Sequence, residues 1–273
     1  MKKIFKRVFK IILLAFFAGI LTIVIIILFP QNLFAYKIKY KEFTVCSNDK
    51  IDDNIKILLD NAMNLVQKSE LYDSSNNYNI ILCHNTFYNR IDDKLLGIGP
   101  AARATFNRNV VIKVRIDPKR NLAFATFRKE CEVDLTYLLA HEMIHCLQVK
   151  KYGIMKFNPF RHPEFWKLEG YPEYISRKPE LLHKDYRLIN EIERYVELEN
   201  KATDIWIVAD ESGCEAPDYY YKGRLMMEYL MDIKHLSYDE ILKDTVSESA
   251  IFKEMIKWKD SIKKMEHNNE KAN

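Results

Sequence analysis

His141 and His145 stand four residues apart in the stretch HEMIH, and Glu142 follows the first of them. On an α-helix, positions i and i+4 share a face, so both imidazoles can turn toward one ion. Glu142 then lies beside that ion without having to bind it. In this arrangement two histidines grip zinc and a glutamate takes a proton from an attacking water. A catalytic zinc normally has a third protein ligand and one open position. The spacing alone also fits a helix with two surface histidines, so the chemistry turns on whether the chain supplies that third ligand.

The next segment to weigh for it is WKLEGYPEYIS. The stretch LLAHEMIHCLQ followed by WKLEGYPEYIS resembles the gluzincin zinc metallopeptidases, which pair HExxH with a downstream glutamate. Trp166, Glu169, Gly170 and Tyr174 fall on their W-x-x-E-G-x-x-x-Y pattern. The resemblance is specific over residues 135–175 and loose over 43–258. It implies His141, His145 and Glu169 as zinc ligands and Glu142 as general base. It also implies a tyrosine hydroxyl, from the start of DYYYKGRLMMEYLM, that steadies the oxyanion: Tyr221, with Tyr220 and Tyr219 behind it. The 24 residues from His145 to Glu169 exceed the spacing in aminopeptidase relatives, and Gly153, Pro159 and Pro163 suit the longer loop. Pro172 departs from the small residue usual there. Glu173, one turn after Glu169, can hydrogen-bond a ligand or the substrate, or be an ordinary exposed carboxylate.

The elements around this constellation follow from pattern. EFTVCS and NYNIILCHN read as strands, and DDNIKILLDNAMNLVQKS as an amphipathic helix. LLGIGPAARATFNRN, with Gly97, Gly99 and Pro100, reads as a loop. VVIKVRID alternates as a half-exposed edge strand does. A bound peptide would lie along it, against Val111 and Lys113. The pattern is helical from Glu132, with Asp134 as a cap and a stop near Gly153. Further helices are expected after Pro163, over 181–208, after Pro217, and from Ser237 and Ser247.

Residues 1–10 hold five of the 42 basic groups and no acidic one, leaving 37 basic against 38 acidic residues in the remainder. A near-neutral body lacks the concentrated basic surface that nucleic acid requires. The 19 residues from Ile11 to Phe29 carry no charge. As a helix they reach roughly the 30 Å of a hydrocarbon core. The basic flank places the N-terminus in the cytoplasm and the body across the membrane. A cleaved signal peptide, and hence secretion, is the second reading. An exported body permits disulfides. Cys46 and Cys83 each end a strand and either bridge or stay buried thiols. The count of five cysteines leaves at least one without a partner in the chain.

The expected fold is α+β. A basic segment (1–10), a transmembrane helix (11–29) and a linker (30–42) precede one zincin-like domain (43–262) and a disordered tail (263–273). The resemblance implies a thermolysin-like core: a small mixed sheet, an edge strand packed on the active-site helix, and a helical C-terminal half. The expected activity is zinc-dependent hydrolysis of peptide or protein substrates at a membrane, by an endopeptidase rather than an aminopeptidase, since no GxMEN-like segment is present. The alternative is a catalytically silent binding or assembly protein of the same fold.

Overall fold

A computed structural model of the chain describes residues 2–96, 101–126, 130–157, 161–177, 187–202, 204–208 and 214–272. Gly97, Gly99 and Pro100 of the expected loop, Pro159, and the start of the helix expected from 181 lie outside them.

Helix α1 (Lys2–Leu28) contains 24 residues, Phe5–Leu28, long and apolar enough to cross a membrane, and the body buries none of its most apolar window. No linker separates it from the body. The Asn109 amide donates to the Leu28 carbonyl, the Arg108 guanidinium lies over the Phe29 ring, and Pro30 is buried. The segment expected as a linker instead forms β1 (Tyr36–Tyr40), whose alternating Lys37 and Lys39 face solvent as charges on an edge strand commonly do. Next come β2 (Phe43–Ser47), α2 (Ile55–Val66), β3 (Tyr78–Leu82), α3 (Phe87–Leu96), β4 (Ala102–Thr105) and β5 (Asn109–Ile112).

These strands form one mixed sheet in the order β1-β2-β3-β5-β4. β2, β3 and β5 are parallel, and the two outer strands run antiparallel to their neighbours. The period of two divides the sheet's faces. Phe43, Val45, Ile80, Val110 and Ile112 enter the main core, while Cys46, Ile81 and Val111 pack with Phe34 and Tyr88 on the other side.

VVIKVRID is therefore not one edge strand. It breaks after Ile112, and β6 (Arg115–Asp117) joins β7 (Leu122–Thr126) and β8 (Glu130–Asp134) in a separate antiparallel sheet. β8 occupies the first residues of the expected helix. Helix α4 (Leu135–Tyr152) starts where Asp134 accepts the Tyr137 N–H, and it stops at Gly153, whose φ of 83° favours glycine. Then follow α5 (Phe165–Ser176), α6 (Leu188–Lys201), β9 (Trp206–Val208), β10 (Glu215–Pro217), α7 (Asp218–Glu228), α8 (Tyr238–Lys243) and α9 (Glu248–Ala272). The helix expected over 181–208 thus gives way to a short hairpin of β9 and β10. The tail expected to be disordered continues α9 to Ala272. Cys131 pairs with Cys214, tying β8 to the start of β10, while Cys46, Cys83 and Cys146 are buried free thiols. The bridge considered between Cys46 and Cys83 does not form: Cys83 Sγ instead donates to the Ile112 carbonyl.

Candidate metal centre

Helices α4 and α5 hold the three residues. α4 is buried nearly all round, through Leu135, Leu139, Ala140, Met143, Ile144 and Leu147. α5 crosses α7 through glycine. A Cβ added at Gly170 would lie 2.5 Å from the Gly223 carbonyl oxygen, so the two backbones meet with no room for a side chain. That contact seats Glu169, the preceding residue. It also accounts for the glycine of the EG pair and for one of only seven in the chain.

The side chains converge. His141 Nε2 and His145 Nε2 lie 3.0 Å apart, and each is 3.2 Å from Glu169 Oε2. Three donors bound to one ion at about 2.0–2.2 Å, with tetrahedral angles, stand roughly 3.3 Å apart. Positive charge among the three atoms, from ring protons or from a bound metal ion, offsets the repulsion of their lone pairs. Among the described residues this is the one cluster of three that could hold a metal ion.

The surroundings are built for positive charge. Burial alone would lower both histidines, but Glu169 and Glu173 raise His141 to about 10, and Glu169 raises His145. Burial would raise Glu169, and the two histidines hold it well below its ordinary value. Glu173 Oε1 lies 3.0 Å from His141 Nδ1, off the ideal hydrogen-bond direction, and its other oxygen is 2.8 Å from Arg177 Nε. Against burial, Arg177 and His141 keep Glu173 down to about 2. Glu173 is thus an inner charge behind His141 rather than an exposed carboxylate. Gln148, fully buried, lies 2.7 Å from His145 Nδ1.

Glu142 is buried beside the ligands and raised by that burial, while His141, His145 and the Ala104 N–H on β4 pull it back. β4 is an outer strand of the sheet and packs on α4. The Lys113 N–H donates to the Ala101 carbonyl, so in the antiparallel alternation Ala102 and Ala104 turn their backbone groups away from β5.

Three expected site residues do not meet here. Val111 is fully buried on the opposite face of an interior strand. Lys113 is buried too, its ammonium paired with Asp93 and 3.2 Å from Asp92. The edge that faces Glu142 is β4, inside the stretch expected as a loop. Tyr221 points away: its hydroxyl donates to Glu191 at 2.6 Å and its ring meets Tyr195. One step of about 100° around α7 separates it from Tyr220, whose ring lies 6.0 Å from that of His141. Burial raises the Tyr220 hydroxyl far above its ordinary value, with Glu169, Tyr219, Glu142 and Glu173 adding to the shift.

No protein-family model, no curated protein and no solved structure matches the chain. The reading therefore rests on the residues themselves.

Proposed function

We propose that the chain is a membrane-anchored, zinc-dependent peptidase of the gluzincin type. α1 lies in the bilayer, the N-terminus is cytoplasmic, and the body sits on the other side. The supporting observation is the convergence of His141, His145 and Glu169 on one point, with Glu142 held beside it by the outer strand β4.

Two imidazoles and a carboxylate suit zinc, which when bound supplies Lewis-acid polarisation of a carbonyl. The chain's own groups do the rest. The outward backbone groups of Ala102 and Ala104 hold an extended peptide as an added strand. Glu142 takes a proton from the attacking water as its oxygen bonds to the carbonyl carbon. The same carboxyl then gives that proton to the leaving nitrogen as the C–N bond breaks. The Tyr220 hydroxyl, rather than that of Tyr221, donates to the developing oxyanion. The cystine between Cys131 and Cys214 suits a body outside the reducing cytoplasm.

Glu142→Gln tests this reading. We expect zinc to remain bound while cleavage of unfolded casein falls by about 10²-fold or more. Undiminished cleavage by the variant would contradict the role assigned to Glu142. Stoichiometric zinc with no cleavage by wild type would make the chain a binding protein instead.

A further inference from the structure

We propose that Gln148 and Pro172 form a latch between the two ligand helices, in which Pro172 frees the Leu168 carbonyl and Gln148, held by it, fixes the His145 ring with Nε2 toward the ion. The inference rests on the zinc reading above and assigns positioning roles to two residues that touch neither ion nor substrate.

The protons follow from groups that can only accept. Gln148 is fully buried, so its amide must find its partners inside the protein. Its Nε2 lies 3.1 Å from the Leu168 carbonyl and 2.8 Å from the Tyr238 hydroxyl, and its Oε1 is 2.7 Å from His145 Nδ1. A carbonyl cannot donate, so the amide nitrogen must face Leu168. The amide oxygen is then left facing His145. That oxygen also cannot donate, so Nδ1 carries the hydrogen and Nε2 keeps its lone pair. Tyr238 agrees with this assignment. Its hydroxyl donates to the Lys167 carbonyl at 2.9 Å, which leaves its oxygen free to accept from Gln148.

Pro172 explains why Leu168 is available. In a regular helix the Leu168 carbonyl receives the N–H of residue 172, four places on. Proline has no N–H, and its ring pushes the carbonyl at i−4 out of line. A proline inside α5 thus leaves the Leu168 carbonyl without its helical donor. Gln148 supplies the missing donor from α4. The interruption in one ligand helix thus becomes the anchor for a ligand on the other. Any other residue at 172 would bring an N–H to the same carbonyl, which Gln148 would then have to share.

The test uses the full-length protein in detergent. Zinc affinity is measured by competition with a chromophoric chelator, and thermal unfolding of the metal-free protein is followed alongside. Gln148→Met should weaken zinc binding about 10–100-fold, as loss of a partner behind a ligand does. Pro172→Ala should weaken it by a smaller factor without lowering the unfolding temperature, because alanine suits a helix better. The double variant should bind zinc no more weakly than Gln148→Met alone, since Pro172 acts through Gln148. Wild-type affinity in Gln148→Met, or additive losses in the double variant, overturns the latch. Should Gln148→Met fail to fold, Pro172→Ala decides alone, and unchanged affinity there overturns the proposal. Wild type that holds no zinc is a separate result, which removes the zinc reading itself.

Discussion

His141, His145 and the adjacent Glu142 were legible from the sequence because helix geometry makes spacing a spatial statement: four residues apart is one face. Glu169, on another helix, came only from the resemblance of WKLEGYPEYIS to the gluzincin pattern. Tyr220 was not. Three consecutive tyrosines point in three directions, and which one meets His141 depends on how α7 rolls against α5 at Gly170 and Gly223. Tyr220→Phe should therefore lower kcat about 10²-fold with zinc content unchanged, in the range seen when one oxyanion donor is removed. Tyr221→Phe should leave kcat within a few-fold and cost about 1 kcal/mol of stability, from the lost bond to Glu191. Steady-state kinetics and denaturant unfolding of the two variants check this, and the reverse pattern would return the role to Tyr221. Gln148 was also illegible, since its partner is a carbonyl freed in another helix.

The elements were legible where a capping residue marks the start and a glycine the stop. α4 is such a case, from Asp134 to Gly153. Strand pairing was not, because alternation reports exposure and says nothing of neighbours. VVIKVRID alternates throughout, yet its two halves belong to different sheets. β4 is only four residues long and follows the sequence GIGP, whose glycines and proline read as a loop and hid it. The crossing of α5 and α7 carries the prediction at this scale. Gly170→Ala puts a methyl 2.5 Å from a backbone oxygen that cannot swing aside. It should cost at least about 1–3 kcal/mol by overpacking and weaken zinc binding with it. Gly223→Ala, whose nearest contacts are at 3.1 Å, should cost less. Thermal unfolding with a parallel zinc titration measures both, and a Gly170→Ala protein as stable as wild type would refute the close crossing.

Across the whole molecule, the N-terminal apolar helix was plain from composition, whereas the cystine was not, since residues 83 apart in sequence give no local sign of meeting. The pairing makes a count. Cys46, Cys83 and Cys146 are buried, and burial pushes Cys83 up to about 12 and Cys146 well above an ordinary thiol, so at pH 8 almost no thiolate forms. Alkylation followed by mass spectrometry should add no label to the native protein and three after unfolding without reductant. Five labels without reductant would contradict the bridge. The zinc content of the purified full-length protein tests whether α4 and α5 bring two imidazoles and one carboxylate around a single ion. One zinc per chain is expected, lost when His141, His145 and Glu169 are replaced together by alanine. No zinc in wild type, or a full equivalent retained by the triple variant, would contradict it.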